Sequence, residues 1–148
     1  MKLLTIITLQ AALSGVSAAP APNDCLVKQR SKLKSCNGFS VDTGTSNNLA
    51  FLHAECLGYD DKGGKWTKVE TGIDLNKCLA NVDGHLNGRK NGNFKVHCDN
   101  VYVALDSASG VVNLTANCVG PLLKRQTSID LGQFVTVDNG GLVCFGQN

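Results

Sequence analysis

Several features that define other classes of protein are scarce or missing in this sequence of 148 residues. Charged residues make up only 18% and aromatic residues 5%, and proline occurs three times. No apolar run after residue 19 approaches the roughly 18 residues of a membrane-spanning helix. No Cys-x-x-Cys spacing suggests zinc or redox chemistry. Because 43% of the residues are apolar, disorder is not expected either. The composition predicts a soluble globular protein of one domain or two small halves.

The charge balance is close to neutral, with 14 basic and 12 acidic residues and a formal charge of +2. Such a balance gives little long-range attraction to phosphate groups, so we expect no nucleic-acid partner and no membrane partner. Lys28, Arg30, Lys32 and Lys34 form one local basic run, but no aromatic side chain between them could stack on a base. The run therefore predicts a solvated face.

Residues 1–19 have the pattern of a secretory signal peptide. Lys2 precedes a mostly apolar stretch, and the small side chains at positions 16–19 suit a signal peptidase. A buried N-terminal helix is the alternative, but the Ala-Ala-Pro-Ala-Pro that follows cannot continue a helix. We therefore predict a secreted, extracellular protein with an N-terminal extension at 20–31 and a domain at 32–148. An oxidising destination makes disulfide bonds the default interpretation of its seven cysteines.

An internal duplication is the most informative feature of the chain. Two pairs of cysteines share a spacing of 20 residues: Cys36 with Cys56, and Cys98 with Cys118. The tripeptide Ile-Asp-Leu begins at residue 73 and again at residue 129. The offset between the repeats falls from 62 to 56 residues because the first repeat carries six more residues before Ile73, which we interpret as a longer loop. Repeat one spans about 32–88 and repeat two about 93–145.

Local patterns in both repeats predict strands and tight turns. Apolar and polar side chains alternate over residues 112–118, with residues 50–56 as their counterpart, as in half-buried antiparallel strands. Asp74 can cap one helical turn, and Asp83-Gly84 and Asn139-Gly140 mark hairpin turns. The fold class is mainly β with short helical turns. Because a repeat of about sixty residues buries little surface alone, we expect the halves to pack closely or share strands.

The repeat predicts the disulfides Cys36–Cys56 and Cys98–Cys118, each closing a loop of equal length. Cys25, Cys78 and Cys144 have no counterpart. Because Cys78 aligns with Phe134, we expect it to be a small buried hydrophobic side chain. Cys25 and Cys144 then form the remaining predicted pair.

The chain resembles the cyanovirin-N family of carbohydrate-binding proteins over about residues 32–144. The most specific stretch is Ile73-Asp74-Leu75-Asn76 followed by Asn81-Val82-Asp83-Gly84-His85-Leu86, and Asn93-Phe94 precedes the third repeat cysteine. The resemblance implies a pseudo-symmetric fold of two tandem repeats, with triple-stranded sheets and β-hairpins exchanged between the halves. It also implies one shallow site on each half for mannose-rich oligosaccharides.

By this resemblance, the residues of the first carbohydrate site are Asn81, Asp83, Gly92, Asn93, His97 and Gly120. Those of the weaker second site are Lys34, Ser35, Asp138 and Asn139. The bland alternative for Asn81 and Asp83 is a hairpin turn whose side chains satisfy their own backbone. His97 is equally consistent with a half-exposed strand residue.

The chain departs from the family pattern at both sites, and the shifted carboxylate of the second leads us to favour the first. Apolar residues follow the second cysteine of each repeat, at Leu57–Tyr59 and Val119–Leu123. The C-terminal Asn-x-Asp is replaced by Val137-Asp138-Asn139, which shifts the carboxylate to the other face of a strand. Tyr59 and Trp66 could stack on a sugar, although a single tryptophan is more often packed in the core.

The sequence therefore predicts a secreted lectin that binds mannose-type oligosaccharides or glycoproteins without catalysis, cofactor or metal. No serine elbow, Cys-His signature or paired acid motif indicates an enzyme. The alternatives are a protein-interaction or cell-surface module that has lost sugar binding, and a glycosidase. Asn113-Leu114-Thr115 is a glycosylation sequon, and the protein is expected to be a monomer or a domain-swapped dimer.

Overall fold

The structure is a computed structural model that describes residues 33–44, 48–60 and 62–145. The expected signal peptide (1–19) and the extension (20–31), with Cys25, Lys28 and Arg30, lie outside the described residues, as does Lys32. Within the described ranges, no helix is long and apolar enough to cross a membrane.

Each repeat folds as a three-stranded antiparallel sheet followed by a two-stranded hairpin. In repeat one, the sheet is β1 (Cys36–Asp42), β2 (Phe51–Asp60) and β3 (Lys65–Asp74), and the hairpin is β4 (Leu79–Val82) and β5 (His85–Gly88). In repeat two, the sheet is β6 (Cys98–Asp106), β7 (Val111–Val119) and β8 (Lys124–Asp130), and the hairpin is β9 (Val135–Asp138) and β10 (Gly141–Cys144). Short 3-10 turns span Leu33–Ser35, Leu75–Lys77, Phe94–His97 and Leu131–Gln133. This architecture confirms the predicted mainly β fold.

The two hairpins are exchanged between the repeats. The β4–β5 hairpin packs on β8 of the second sheet, and the β9–β10 hairpin packs on β3 of the first. Equivalent hydrogen bonds join them: the Leu142 amide donates to the Thr71 hydroxyl (2.9 Å), and the Leu86 amide donates to the Thr127 hydroxyl (3.3 Å). Each half of the molecule is therefore built from both repeats.

The core lies where the inner faces of both sheets meet the hairpins. Along β7, Val112, Leu114, Ala116 and Cys118 are buried, as the alternation predicts. Thr115, on the expected polar face, is also buried. Its hydroxyl is satisfied there by a 2.7 Å hydrogen bond with Ser128 on β8. The remaining fully buried side chains include Phe94, Leu33, Leu52, Leu75, Leu79, Leu131 and Val135. Asn113 of the sequon lies half-buried in the same strand.

The predicted turns have the expected conformations. Asp74 and Asp130 each accept a hydrogen bond from the amide two residues on and so begin equivalent 3-10 turns. At the hairpin tips, Asp83 and Gly84 have φ of 52° and 86°, and Asn139 and Gly140 have 42° and 85°. Positive φ at both central residues is typical of a type I′ turn, which explains the Asp-Gly and Asn-Gly sequences.

The six additional residues of repeat one do not form a longer loop, so that expectation was wrong. The pair Leu57 and Lys68 in the first sheet is equivalent to Val119 and Lys124 in the second. Beyond it, the first sheet has three more cross-strand pairs, of which the outer two are Tyr59 with Trp66 and Asp60 with Lys65. Paired backbone satisfies its own hydrogen bonds, so the insertion extends the β2–β3 hairpin as strand.

Three disulfides lie within the described residues, and one of them corrects the sequence analysis. Cys36–Cys56 and Cys98–Cys118 form as predicted, whereas the third bond joins Cys78 to Cys144, with their Cα atoms 5.6 Å apart. Cys78 is therefore not an unpaired thiol, and the Cys25–Cys144 pairing was wrong. The reason is the hairpin exchange, which brings the end of β10 beside the 3-10 turn that follows β3.

We expect the Cys78→Ala/Cys144→Ala double variant to lose about 4 kcal/mol of unfolding free energy, because the bond closes a loop of 66 residues. Urea unfolding of the oxidised protein would measure this loss. The matched control, Cys98→Ala/Cys118→Ala, opens a loop of only 20 residues and should lose about 3 kcal/mol. Peptide mapping of the unreduced protein that found Cys25 joined to Cys144 would contradict the assigned pairing.

Candidate functional site

Two clefts form where a hairpin tip from one repeat meets the strand end of the other repeat's sheet. At one cleft, a Cβ built on Gly84 would lie 3.1 Å from the Cα of Gly120; at the other, a Cβ built on Gly140 would lie 3.0 Å from the Cα of Gly58. Glycines are needed at these contacts because any side chain would push the hairpin off the sheet. The two clefts are equivalent in backbone and differ in their side chains.

The first cleft, which we call the Asp83 cleft, comprises the tip of the β4–β5 hairpin and the residues Val119, Gly120 and His97. The side chain of Asn81 joins the two walls of this cleft. Its NH2 group donates to the Val119 carbonyl (2.8 Å), and its oxygen accepts from the Gly84 amide (2.9 Å). Both ends of the Asn81 side chain are therefore used within the protein. This geometry fits the turn-stabilising alternative, and one NH2 hydrogen and one oxygen lone pair of Asn81 remain unused by these two bonds.

Asp83 is the exposed acceptor of this cleft. The residue occupies the left-handed region with φ of 52°, and its carboxylate has no hydrogen-bond or ion-pair partner in the part of the chain that the structure describes. The backbone of Asp83 lies against Gly120, where an added Cβ would lie 3.0 Å from the Asp83 carbonyl oxygen. Because the backbone of Asp83 is fixed, its free carboxylate can accept hydrogen bonds from two hydroxyl groups at once.

A groove of about 300 Å³ adjoins the Asp83 cleft. It is lined by Lys95, Val96, His97, Cys98, Asp99, Val119 and Lys124. His97 is exposed at the end of a 3-10 turn rather than within a strand. Lys124 and Asp99 form an ion pair across the groove, and because both side chains are about half exposed, this pair stabilises the fold little.

Gly92 and Asn93 lie beside β4 and help to place it. A Cβ on Gly92 would lie 2.4 Å from the Leu79 carbonyl oxygen, and Asn93 forms an isolated β-bridge with Ala80. The Asn93 amide also donates to the carbonyl of Asn76 (2.9 Å). Neither residue lines the groove of His97 and Val119.

Asn76 is a positioning residue that sequence reasoning missed. Its buried side chain donates to the Asn48 carbonyl (2.6 Å) and accepts from the Lys95 amide (3.1 Å). It therefore joins the loop before β2 to the segment that leads into His97. The repeat gave no sign of this role, because the equivalent residue in repeat two is Gly132.

The second cleft, which we call the Trp66 groove, has a volume of about 490 Å³ and a mainly apolar lining. It is lined by Ser35, Leu57, Trp66, Val137 and Asn139. Asn139 ties the hairpin tip to the extended sheet, because its side-chain oxygen accepts from the Tyr59 amide (2.7 Å). The structure thus brings together Ser35 and Asn139 of the predicted second site.

The other two residues predicted for the second site lie elsewhere. The aliphatic stem of Lys34 packs on Gly110, where an added Cβ would lie 2.8 Å from Lys34 Cε. Asp138 is exposed on β9, outside the lining of the groove. Of the two alternatives for Trp66, the structure excludes the core position, because the side chain is 67% exposed.

Comparison with known proteins finds relatives by domain family and by structure. Residues 33–143 match the family described as the CVNH domain. The solution structure of a CVNH protein from Gibberella zeae has a TM-score of 0.61 at 20% identity, covering 79% of this chain and 99% of that one. A complex of microvirin with mannobiose (TM-score 0.54, 20% identity) covers 75% and 94%. A variant of MoCVNH3 in complex with (N-GlcNAc)4 (TM-score 0.51, 20% identity) covers 72% and 94%.

Curated proteins give no significant match. The structural relatives share less than a quarter of their residues with this chain, so they establish its fold. The family match covers three quarters of the sequence and runs from the first 3-10 turn into β10, so it includes both clefts. This chain therefore belongs to the CVNH family, the cyanovirin-N homologues, a lectin family.

Proposed function

We propose that the protein is a secreted, non-catalytic lectin that binds mannose-type oligosaccharides at the Asp83 cleft. The observation that carries this proposal is the unpartnered carboxylate of Asp83 on a turn whose backbone is fixed by Asn81 and Gly120. Mannose presents neighbouring hydroxyl groups, and a carboxylate can accept from two of them. Hydrogen bonds to a charged acceptor contribute roughly 1.5–3 kcal/mol, more than those to a neutral one.

The relatives support glycan binding without fixing the sugar. Microvirin has been solved with mannobiose, and a MoCVNH3 variant with (N-GlcNAc)4, so CVNH folds hold more than one kind of sugar. For this chain, the exposed carboxylate of Asp83 favours a ligand rich in hydroxyl donors. The backbone of Gly120 and the exposed His97 border the same cleft and are the remaining proposed contacts.

Secretion is the second part of the proposal. The sequence of residues 1–19 supports it, and so do three disulfides within the described residues, because such bonds persist in oxidising compartments. A domain that meets glycans on surfaces outside the cell needs this stability. A shallow single site binds weakly, so attachment to a glycan-dense surface would gain from a second site on the same chain.

A protein partner is the alternative function, and one observation favours it. The turn between β7 and β8 exposes Leu122 by 94% and Leu123 by 60%, next to an exposed Pro121. Adjacent exposed leucines at a loop tip are typical of contact surfaces. This tip lies two residues beyond Gly120, so a protein docked there would also cover the Asp83 cleft.

Asp83→Asn should lower the affinity for α-1,2-linked mannobiose about tenfold, because it removes a charged acceptor. Asparagine keeps the type I′ turn, so the fold is expected to remain intact. Calorimetric titration of both proteins would measure the change. Asp138→Asn is the matched control, since it neutralises an exposed carboxylate on the other hairpin, outside the clefts. Equal affinity of Asp83→Asn and wild type would exclude Asp83 as the contact.

The Asn81→Ala variant tests whether Asn81 positions the hairpin tip or contacts the sugar. This variant loses two hydrogen bonds that hold the hairpin tip, which would destabilise the protein by about 1–3 kcal/mol. A thermal melt should therefore shift for Asn81→Ala and not for Asp83→Asn. If Asn81→Ala abolished mannobiose binding without any shift in its melt, Asn81 would be a direct contact rather than a positioning residue.

Leu122→Ser/Leu123→Ser tests the alternative function. We expect the double variant to keep wild-type mannobiose affinity and thermal stability, because both side chains point into solvent. Binding to mannose-bearing glycoprotein before and after enzymatic removal of its glycans would be measured for both proteins. Binding that survived removal of the glycans and was lost in the double variant would establish the protein-interaction module instead.

A further inference from the structure

The extension of the β2–β3 hairpin carries an aromatic pair to the edge of the Trp66 groove. Trp66 and Tyr59 face each other across the strands, with ring centroids 5.4 Å apart in an edge-to-face arrangement. The pair lies on the part of the hairpin that the second sheet lacks. The Asp83 cleft therefore has no equivalent of Trp66, and the two clefts differ in the chemistry they offer.

We propose that the Trp66 groove, which stands where the family resemblance implies the sugar site of the second half, takes a β-1,4-linked chain of gluco-configured sugars stacked on Trp66 instead of a mannose-type ligand. The proposal rests on the proposed lectin function and deepens it, because it assigns a different sugar class to the second cleft. Trp66 is the specificity-determining residue of this site, and Leu57 and Val137 provide the apolar floor beside it.

The exposure of Trp66 is the first argument. Tryptophan is among the more buried residues on average, whereas this side chain is 67% exposed and held upright by contact with Tyr59. Leu57, which also lines the groove, is 45% exposed. An indole kept in water by its packing is available to bury a flat apolar surface, and such burial stabilises a complex in proportion to its area.

The absence of charge in the lining is the second argument. None of the five residues that line the groove carries a charge, so the groove suits a neutral ligand rather than an acidic peptide or a phosphate. The side-chain oxygen of Asn139 accepts from the Tyr59 amide, and this bond leaves the NH2 group of the same side chain unused. That NH2 group has no partner in the described ranges and can donate to a sugar oxygen.

The geometry of sugar rings supplies the selectivity. In a β-linked gluco-configured ring every large substituent is equatorial, so both faces present only axial C–H groups. These groups carry partial positive charge and complement the negative face of the indole. An α-linked mannose ring has an axial glycosidic oxygen on one face and an axial 2-hydroxyl on the other. Neither face can lie flat on Trp66 without removing a polar oxygen from water.

The fluorescence of Trp66 is a direct test, because this is the only tryptophan in the chain. The intact, disulfide-bonded protein is titrated with cellotetraose, with chitotetraose and with α-1,2-linked mannobiose. We expect either tetraose, or both, to change the intensity and shift the emission to shorter wavelength as water leaves the ring. Mannobiose should leave the emission unchanged while it binds in calorimetry. A response to one tetraose only would identify whether the acetamido group is required.

Trp66→Ala should weaken tetraose binding about tenfold or more, as expected for an aromatic residue at the centre of a contact. Trp66→Phe should retain part of it. Leu122→Ala is the matched control, because it truncates an exposed apolar side chain outside the groove. Asp83→Asn should leave the fluorescence response intact, and Trp66→Ala should leave mannobiose binding intact.

Two results would overturn the inference. One is an unchanged Trp66 emission at millimolar concentrations of both tetraoses, or an equal response to mannobiose. The other is self-association of the wild type that Trp66→Ala abolishes, without any sugar response, which would make the groove an interface between copies. If the wild type responds to a tetraose but does not bind mannobiose, the mannose assignment at the Asp83 cleft is refuted and the Trp66 site is not.

Discussion

Both clefts depend on the docking of each hairpin onto the sheet of the other repeat. The threonine hydroxyls of Thr71 and Thr127 fix where each hairpin lies, by accepting from the amides of Leu142 and Leu86. The glycine contacts at Gly58 and Gly120 then fix how closely each tip approaches. A cleft therefore exists only in the assembled fold, because no single repeat contains both of its walls.

The internal repeat explains why the two clefts have equivalent backbones, whereas the positions at which the repeats differ explain why their side chains are unlike. Equivalent bulges occur in both sheets, between Asn37 and Ser40 and between Asp99 and Tyr102. The differences accumulate around the clefts: Asp83 stands where Asn139 does, and the extension that carries Trp66 is present once. The duplication gives two clefts with equivalent backbones, and a few substitutions and one insertion give them different side chains.

The sequence predicted those features that local physical chemistry determines. Alternation in residues 112–118 predicted the buried face of β7, and Asp-Gly and Asn-Gly predicted both tips, because positive φ limits which residues can stand there. It failed where contacts join distant segments. Cys78 and Cys144 approach only through the hairpin exchange, and Trp66 is exposed only because an insertion of six residues pairs as strand rather than looping.

The candidate site shows the same limit within single residues. Asn81 and Asp83 share one motif, and the sequence offered no reason to separate them, yet one holds the hairpin and the other is free. The difference arises from the carbonyl of Val119, a residue 38 positions away that only the folded chain brings near. One residue of a shared motif can thus hold the backbone of a cleft while another leaves its carboxylate exposed to solvent.

The two hairpins are also held in place by different bonds, and this difference determines how each cleft responds to reduction of the disulfides. The β9–β10 hairpin ends at Cys144, which is bonded covalently to Cys78. The β4–β5 hairpin instead continues into a segment whose Lys95 amide donates to the side-chain oxygen of Asn76. Reduction of the Cys78–Cys144 bond would free the end of the hairpin that carries Val137 and Asn139. The Trp66 groove would then loosen before the Asp83 cleft, because the covalent link stabilises one wall of that groove by limiting the motion of the chain.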